Sequence, residues 1–409
     1  MVPSHLPAIT FQKTFFMMNL KLLLCRFCLV AICFATLTLS FSNRVQAATP
    51  IIPAPPSLAA KSWLLVDAKT GHVITQYNAD QALPPASLTK MMTTYIASEQ
   101  IASGNINYND MVRISEKAWR KGGSKMYIKE GTEVKLEDLL RGIIIQSGND
   151  ASIAIAEYIA GSEDAFADLM NQTALSLGMT STHFRNATGW PAKDHYTTAR
   201  DLSLLALATI KHHPEDYSIY SEKEFTYNGI RQPNRNSLLW HDDSVDGIKT
   251  GHTEEAGYCL VASAVKNNMR LISVVMGTKS EKDRAAESQK LITYGFRFFE
   301  TLQSYSKNQE LLNAEIWKGS ADTIKLGTDQ EVWLTIPRGS GDQIEAELEV
   351  PELLEAPIAQ GEKIGTIKIT LNGNTLATKP LIALDTVEQG GLFKRLWHWI
   401  LLMVKGWIS

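Results

Sequence analysis

The sequence contains very little cysteine, with four residues in a chain of 409. Cys25, Cys28 and Cys33 lie close to the N-terminus, and Cys259 is the fourth. Because the first three fall in a segment that we expect to be removed, the mature chain would keep one cysteine, which cannot form an internal disulfide. Cys259 lies in the apolar run 258–262, where a buried structural thiol is expected rather than a nucleophile.

The sequence also lacks the signatures of several hydrolase classes. It has no H-E-x-x-H motif and its nine histidines are scattered, so we expect no zinc peptidase and neither a metal nor another cofactor. It has no G-x-S-x-G motif, which argues against an α/β-hydrolase. A net charge of −3 gives no indication of nucleic-acid binding, and a chain that is 44% hydrophobic and 20% charged suits a globular protein of two domains.

Residues 1–47 are predicted to be a secretory signal peptide. Lys21 and Arg26 are basic, the run 27–41 is almost entirely apolar, and Val45-Gln46-Ala47 fits a small-residue cleavage site. An uncleaved membrane anchor is the alternative, but the apolar run is short for a spanning helix. The mature protein is therefore expected to be exported.

Three short motifs follow one another along the chain. The S-x-x-K motif is Ser87-Leu88-Thr89-Lys90, the S-x-N motif is Ser147-Gly148-Asn149, 60 residues after Ser87, and the K-T-G motif is Lys249-Thr250-Gly251, 102 residues beyond Ser147. Taken alone, they would be interpreted as a serine N-cap, a turn between helices and a surface hairpin. The ordered set is much rarer by chance than any single motif, so we interpret the three together.

Ser87 is the candidate nucleophile and Lys90 its candidate base. Pro84 and Pro85 cannot lie inside a helix, so a helix is expected to begin near Ser87 and to carry Lys90 one turn along on the same face. A lysine ammonium cannot accept a proton. Burial and the neighbouring cation Lys249 are therefore expected to lower the pKa of Lys90 until its neutral amine is accessible.

The other two motifs are expected to face the same cleft. Ser147 would pass a proton to the departing group, and Asn149 would hold the substrate amide. Residues 245–253 read as a strand, whose Gly251 leaves space for an extended peptide to pair along the strand edge. The β-rich runs that follow predict an antiparallel meander.

The three motifs are the signature set of the penicillin-binding proteins and serine β-lactamases. The chain resembles a low-molecular-mass penicillin-binding protein of the D-alanyl-D-alanine carboxypeptidase type, from the mature N-terminus to the last residue, including the stretches 249–253 and 294–299. The resemblance implies that Ser87 forms the acyl-enzyme and that Lys90 is its base. It implies that peptidoglycan stem peptides are the substrates and that β-lactam antibiotics are covalent inhibitors.

The resemblance also implies roles for residues around the substrate. Ser147 and Lys249 would serve proton transfer and substrate binding, and the backbone N–H groups of Ser87 and His252 would form the oxyanion hole. Thr250 and Gly251 would contact the substrate as part of the K-T-G strand. Arg284 would lie near the terminal carboxylate of the substrate, with a surface ion pair to Glu281 or Glu287 as the alternative.

The expected fold class is α+β. A proline-rich lead-in at 48–58 precedes a β-lactamase/transpeptidase-like domain at 59–301, an antiparallel sheet with helices on both sides. Alternating apolar and polar residues, with a tight turn at Asn372-Gly373-Asn374, predict a small all-β domain at 302–389. This domain carries no catalytic constellation, so a spacer and a partner-binding module both stay open.

Two alternatives to a carboxypeptidase are weighed. A β-lactamase needs a base that deacylates the enzyme, yet residues 182–200 contain no glutamate and Asp194 as their only carboxylate, and Gly148 stands where common β-lactamases have an aspartate. A periplasmic scaffold that binds peptidoglycan without turning it over is the second alternative, and the presence of every motif residue argues against it.

Residues 390–409 are predicted to form an amphipathic helix. On a helical wheel the polar sector contains Lys394, His398, Lys405 and Ser409, with Arg395 at its edge. Apolar residues cover the rest of the wheel, and Leu402 is the one apolar residue that intrudes on the polar sector. Basic residues opposite three tryptophans are typical of an interfacial helix, and the segment is too short and too charged to span a bilayer. It predicts a peripheral anchor on the periplasmic face of the inner membrane, with packing on the β-domain as the alternative.

Overall fold

The computed structural model describes residues 52–408, which form two compact units. The larger unit comprises residues 52–302 and 333–338, and the smaller comprises 303–332 and 339–408. The predicted signal peptide, with its three cysteines, lies outside the described residues. The domain boundaries expected from the sequence stay a prediction.

The described residues form sixteen strands and ten α-helices. In chain order the strands are β1 (Ser62–Asp67), β2 (Val73–Tyr77), β3 (Met111–Arg113), β4 (Glu133–Lys135), β5 (Glu224–Tyr227), β6 (Ile230–Pro233), β7 (Val245–Thr253), β8 (Gly257–Lys266), β9 (Met269–Thr278), β10 (Phe299–Tyr305), β11 (Glu310–Glu315), β12 (Thr323–Gly327), β13 (Val332–Pro337), β14 (Ile344–Glu349), β15 (Lys363–Leu371) and β16 (Asn374–Ala383). The helices are α1 (Lys90–Ala102), α2 (Glu116–Arg120), α3 (Leu136–Ile144), α4 (Asn149–Ala160), α5 (Glu163–Ser176), α6 (Ala199–His212), α7 (Pro214–Tyr217), α8 (Leu238–His241), α9 (Glu281–Phe298) and α10 (Leu392–Ile408).

The larger unit is built on a five-stranded antiparallel sheet in the order β2-β1-β9-β8-β7. Successive side chains of a strand point to opposite faces of the sheet, and the side chains of β1 enter two different apolar cores in this way. Leu64 and Val66 belong to the core that contains α6, whereas Leu65 packs with Leu291 of α9. Helices therefore cover both faces of the sheet, and the expected α+β class is confirmed.

A second apolar core lies among the helices of the larger unit. Leu139 and Ile143 of α3 pack with Ile153 of α4 in a cluster separate from the one beneath the sheet. The short link between these two buried helices holds Ser147. The packing of α3 against α4 therefore fixes the position of the second motif.

The smaller unit contains a five-stranded antiparallel sheet in the order β11-β12-β16-β15-β14. The predicted alternation appears in β15, where Ile367 and Ile369 are buried and their neighbours are more exposed. Asn372 and Gly373 both have positive φ angles, as the expected tight turn between β15 and β16 requires. Residues 333–338 belong to the larger unit, where Thr335 donates a hydrogen bond to Asp67.

Helix α10 contacts the rest of the smaller unit through its polar side. The backbone N–H of Lys318 donates to His398 Nδ1 at 2.8 Å, and Lys394 forms a 2.7 Å ion pair with Asp322. The apolar side chains are exposed, with Phe393 93% and Trp397 58% accessible. The expected positions of Lys405, Trp407 and Ser409 lie outside the described side chains.

Among residues 52–408, none of the helices combines the length and the apolar character that crossing a bilayer requires.

Candidate active site

Ser87 lies in a 3₁₀ turn, Ala86–Thr89, that leads directly into α1. Ala86, the residue before it, has a φ of +47°, which is uncommon for a residue with a side chain. This strained backbone and the helix that follows hold the serine one turn from Lys90, as the spacing predicts. The Nζ atom of Lys90 lies 2.9 Å from Ser87 Oγ.

Lys90 is completely buried and has three oxygen partners. Besides Ser87 Oγ, its Nζ atom contacts Asn149 Oδ1 at 2.7 Å and the backbone carbonyl of Thr188 at 2.5 Å. The partners come from sites 59 and 98 residues away in the sequence. The amine is therefore held from three separate segments of the fold.

Burial lowers the pKa of Lys90 to about 7, because a charged ammonium loses its hydration there. That value includes the positive charges of Arg235 and Lys121, which also lower the pKa, and the carboxylate of Asp150, which raises it. The expectation named Lys249 as the cation responsible; Arg235 and Lys121 are further cations that lower this pKa, and the two buried lysines disfavour each other's charge. A substantial fraction of Lys90 is consequently neutral near neutral pH and able to accept a proton.

The second and third motifs meet through another buried lysine. Lys249 Nζ donates to Ser147 Oγ at 2.9 Å and to the carbonyl of Thr250 at 3.1 Å. Burial, and then the positive charge of Lys90, lower the pKa of Lys249 well below its ordinary value. Ser147 has a φ of +65°, so the turn before α4 holds its backbone in the left-handed region.

Asn149 is buried, and both ends of its carboxamide have partners within the protein. Its Oδ1 accepts from Lys90, and its Nδ2 donates to the carbonyl of Gly122 at 2.8 Å. The expectation that Asn149 holds the substrate amide stays a prediction. The structure gives the side chain a clear second task, which is to hold the amine of Lys90.

The K-T-G strand β7 is an edge strand of the five-stranded sheet and passes close to the nucleophile turn. A Cβ atom on Gly251 would come within 3.2 Å of the carbonyl of Pro85, tighter than ordinary packing allows. Glycine thus favours the close approach of the two backbones, because any side chain would require its neighbours to shift by a few tenths of an ångström. Next to it, the ring of His252 stacks on Tyr258 with a centroid distance of 3.9 Å.

Arg284 is buried rather than on the surface. Its nearest oxygens are the carbonyls of Gly251 at 3.5 Å and Arg235 at 3.4 Å and a Glu281 carboxylate oxygen at 3.4 Å, all long contacts. Burial lowers the pKa of this guanidinium. The side chain therefore lies beside the K-T-G strand with weak partners, while Glu287 pairs with Lys290 instead.

Arg235 and Thr188 were not predicted as site residues from the sequence. Arg235 keeps an exposed surface, partial desolvation lowers its pKa, and its charge acts on both Lys90 and Lys249. It lies in a polar stretch before the K-T-G strand, where no spacing rule marks it. Thr188 acts through its carbonyl, which every residue has, so no sequence signal was available.

Two cavities adjoin these residues. One, of about 630 Å³, is lined by Ala86, Trp190, Tyr196 and Thr253, among others. Another, of about 730 Å³, is lined by Arg235 together with Gln146, Trp240 and Glu281. One cavity therefore opens beside the turn that holds Ser87, and the other opens beside Arg235.

Comparison with known proteins gives a consistent result. The family model described as D-alanyl-D-alanine carboxypeptidase matches residues 49–280, and the model described as penicillin-binding protein 5, C-terminal domain, matches residues 299–389. The chain is 44% identical over 387 residues to D-alanyl-D-alanine carboxypeptidase DacA of Escherichia coli (strain K12), covering 93% of this chain and 96% of the relative.

Solved structures agree. Penicillin-binding protein 5 from Haemophilus influenzae aligns with a TM-score of 0.79 and 41% identity over 82% of this chain and 100% of its own. Penicillin-binding protein D2 from Listeria monocytogenes, in the ampicillin-bound form, aligns with a TM-score of 0.55 and 29% identity over 59% of this chain and 100% of its own.

Proposed function

This chain belongs to the D-alanyl-D-alanine carboxypeptidase family, and we propose that it removes the terminal D-alanine of peptidoglycan stem pentapeptides through an acyl-enzyme on Ser87. It is a serine-type hydrolase. The observation that carries the proposal is the 2.9 Å contact between Ser87 Oγ and Lys90 Nζ, in surroundings that lower the pKa of Lys90 to about 7. A serine hydroxyl is a weak nucleophile until such a base lies within hydrogen-bond reach.

Acylation begins with the neutral amine of Lys90 taking the proton of Ser87. The serine oxygen attacks the carbonyl carbon of the bond between the two D-alanines. Negative charge then develops on the carbonyl oxygen, where the backbone N–H groups of Ser87 and His252 are the proposed donors. Gly251 supports this arrangement, since its lack of a side chain lets β7 run beside the nucleophile turn.

The departing D-alanine must receive a proton on its nitrogen as the peptide bond breaks. Ser147 is the proposed donor, and the 2.9 Å hydrogen bond from Lys249 links it to a second buried amine. Water then attacks the ester on Ser87, which releases the shortened peptide and restores the serine proton. The two lysine–serine pairs thus divide the proton transfers between the nucleophile and the leaving group.

Recognition of the terminal carboxylate is proposed for Arg284 and Arg235, with the hydroxyl of Thr250. Arg284 is buried with only long contacts, and Arg235 has no close ion pair among the described residues. A substrate carboxylate would supply a closer charge-assisted partner than the 3.4 Å contact of Arg284 with Glu281, and a partner for Arg235. Their position beside Gly251 suits a peptide that lies along the K-T-G strand.

Acylation of Ser87 by β-lactams follows from the same chemistry, because a β-lactam carbonyl is opened by the same nucleophile. A β-lactamase would need a base that hydrolyses the adduct quickly. The candidate carboxylate in the 182–200 stretch is Asp194, whose side chain is 54% exposed and pairs with Arg185 at 3.5 Å. This favours a carboxypeptidase that β-lactams inhibit.

Helix α10 is proposed to bind the periplasmic face of the inner membrane. Its polar side is taken up by Lys318 and Asp322, which leaves Phe393, Trp397 and their apolar neighbours exposed. An exposed apolar side that includes tryptophans is the surface that an interfacial helix inserts into the headgroup region. Residues 302–389 would then separate the catalytic domain at 59–301 from the anchor.

The direct test is incubation with a muropeptide ending in D-Ala-D-Ala, with product analysis by mass, and labelling with a fluorescent penicillin. Ser87→Ala should abolish both D-alanine release and the covalent adduct. Lys90→Ala should slow acylation by about 10²–10⁴-fold, the usual contribution of a general base. Ser103→Ala, on the exposed end of α1, is the control that should behave like the wild type.

Retention of a penicillin adduct in the Ser87→Ala variant would place the nucleophile elsewhere. A wild-type protein that forms no adduct and releases no D-alanine would indicate the non-catalytic scaffold instead. Rapid turnover of the penicillin by the wild type would indicate a β-lactamase.

A further inference from the structure

A short turn outside the three motifs contacts both members of the nucleophile pair. Residues 186–190, here called the Asn186 turn, lie between α5 and α6. The carbonyl of Thr188 accepts from Lys90 Nζ, and Gly189 lies against the backbone of Ala86, the residue before Ser87.

One side chain organises the turn. Asn186 Oδ1 faces the backbone N–H groups of Thr188 at 3.1 Å, Gly189 at 2.8 Å and Trp190 at 3.1 Å, and the hydroxyl of Thr188 at 2.9 Å. Its Nδ2 donates to the carbonyl of Trp190 at 2.9 Å. Because all of these partners lie in the turn itself, the path of its backbone depends on the Asn186 carboxamide.

His195 supports this carboxamide from behind. Burial lowers the pKa of His195 to about 4, so its ring is neutral at physiological pH. Asn186 Nδ2 lies 3.3 Å from Nδ1 of the ring and can only donate, so Nδ1 is the acceptor and Nε2 carries the proton. Nε2 in turn lies 3.0 Å from Thr89 Oγ1, which is next to Lys90 in the chain. The turn is thereby tied to the helix start that carries the catalytic lysine.

The geometry at Lys90 decides where its lone pair points. A neutral amine has two N–H bonds and one lone pair, and Lys90 Nζ has three oxygen neighbours. The oxygen end of the Asn149 carboxamide faces Lys90, because its Nδ2 end donates to the carbonyl of Gly122. This oxygen and the carbonyl of Thr188 can only accept. When these two take both N–H bonds, the lone pair is left facing the remaining neighbour, Ser87 Oγ.

The same turn limits the position of the nucleophile. A Cβ atom on Gly189 would lie 1.7 Å from the carbonyl oxygen of Ala86 and 3.0 Å from the amide nitrogen of Ser87. Gly189 also has a φ of +81°, which strains any other residue. The two backbones are therefore in direct contact, on the N-terminal side of Ser87.

We propose that the Asn186 turn aims the lone pair of Lys90 at Ser87, and that Asn186 is a positioning residue for acylation. The inference rests on the proposed function, since it assigns Lys90 the task of base. Asn186 touches neither the substrate nor the reacting atoms. Asn186 acts through the Thr188 carbonyl, which it holds in place to accept one of the two N–H bonds of the Lys90 amine. When the turn is lost, this N–H bond loses its acceptor.

The test measures acylation of the full chain by a fluorescent penicillin under single-turnover conditions, which separates the acylation rate constant from the affinity of the noncovalent complex. Asn186→Ala should slow acylation by about 10- to 100-fold, the cost of a misplaced catalytic group. The noncovalent affinity should change much less than the acylation rate, because Asn186 itself is not among the residues that line the cavity beside Ala86.

Two further variants distinguish positioning from general loosening. Asn186→Asp keeps an acceptor oxygen for the three N–H groups but loses the donor to the Trp190 carbonyl, so it should recover part of the acylation rate that alanine loses. Asn171→Ala is the matched control, because Asn171 holds the same loop through two hydrogen bonds to the backbone of Phe184 and contacts neither Lys90 nor the turn. It should acylate like the wild type.

Each outcome decides the point. Normal acylation by Asn186→Ala would overturn the inference, as would an equal loss in Asn171→Ala or a loss in Asn186→Asp as large as that in alanine. Failure of the wild type to acylate would overturn the proposed function instead. Thermal unfolding of each variant shows that rates are compared between folded proteins.

Discussion

Lys249 Nζ donates a 2.9 Å hydrogen bond to Ser147 Oγ, so the site holds a second buried lysine–serine pair besides that of Lys90 and Ser87. The two pairs differ in how they are fixed. Lys90 reaches its serine within one helical turn, whereas Lys249 comes from a strand 102 residues beyond its partner. Each pair can therefore be tested separately.

Lys249→Ala should weaken substrate binding and slow acylation, because Ser147 loses its proton partner. The loss should be about 10²–10⁴-fold in acylation rate, as expected for proton transfer. The double variant Ser147→Ala with Lys249→Ala should be no slower than the slower single variant, since residues that act as a unit are not additive. Lys266→Ala, an exposed lysine at the end of β8, is the control. Additive losses would show that the two residues act independently.

The rate of acylation should rise with pH through about 7, where Lys90 loses its proton. Arg235→Gln removes a positive charge that disfavours the ammonium form, so the pKa of Lys90 rises and the acid limb of the pH–rate profile moves to higher pH. Arg231→Gln, an exposed arginine paired with Glu224, should leave the limb in place. If the acid limb of the pH–rate profile stays in place in Arg235→Gln, the charge of Arg235 does not affect the pKa of Lys90.

Arg284→Gln should raise KM for a peptide ending in D-Ala-D-Ala, because the terminal carboxylate loses a charge-assisted partner. A loss of roughly 1.5–3 kcal/mol, or about 10- to 100-fold, is typical of a hydrogen bond to a charged group. Glu281→Gln separates this role from the alternative of a structural ion pair, since Glu281 is the only carboxylate near Arg284 among the contacts in the described chain. Equal effects of the two variants would favour the ion pair.

Truncation after Gly390 should release a soluble enzyme that still acylates with penicillin. In the full chain, Trp397→Ser with Trp399→Ser should reduce binding to vesicles that contain anionic phospholipid, because both side chains are more than half exposed on α10. Trp119→Ser, an exposed tryptophan of α2, is the control for vesicle binding. A truncated protein that stays with the membrane fraction, or that unfolds, contradicts the anchor.

The sequence predicts the parts of the site that follow from local spacing. Ser87 and Lys90 are three residues apart, and a helix start forces them together; the strand character of the K-T-G segment is equally local. The residues that sequence reasoning missed act over long distances in the chain. Thr188 holds Lys90 through a backbone carbonyl 98 residues away, and Arg235 acts through its charge, so neither leaves a pattern to recognise.

The helical wheel of the C-terminal segment separated polar from apolar residues but gave no indication of what the polar side contacts. In the structure, His398 accepts the backbone N–H of Lys318 and Lys394 pairs with Asp322. These contacts depend on the loop between β11 and β12, which no property of the helix itself specifies. The contacts fit the alternative of packing on the β-domain, while the membrane anchor stays a prediction.

That docking has a thermodynamic consequence for the proposed anchoring. An isolated helix of the length of α10 is only marginally stable in water, and a tail that folds on reaching a bilayer loses chain entropy at that moment. Lys318 and Asp322 already hold α10 in its helical form. The loss of chain entropy therefore occurs when the protein folds and does not oppose membrane binding. Insertion then reduces to the transfer of preformed apolar surface, so the strength of anchoring should respond to lipid composition without a change in helix content.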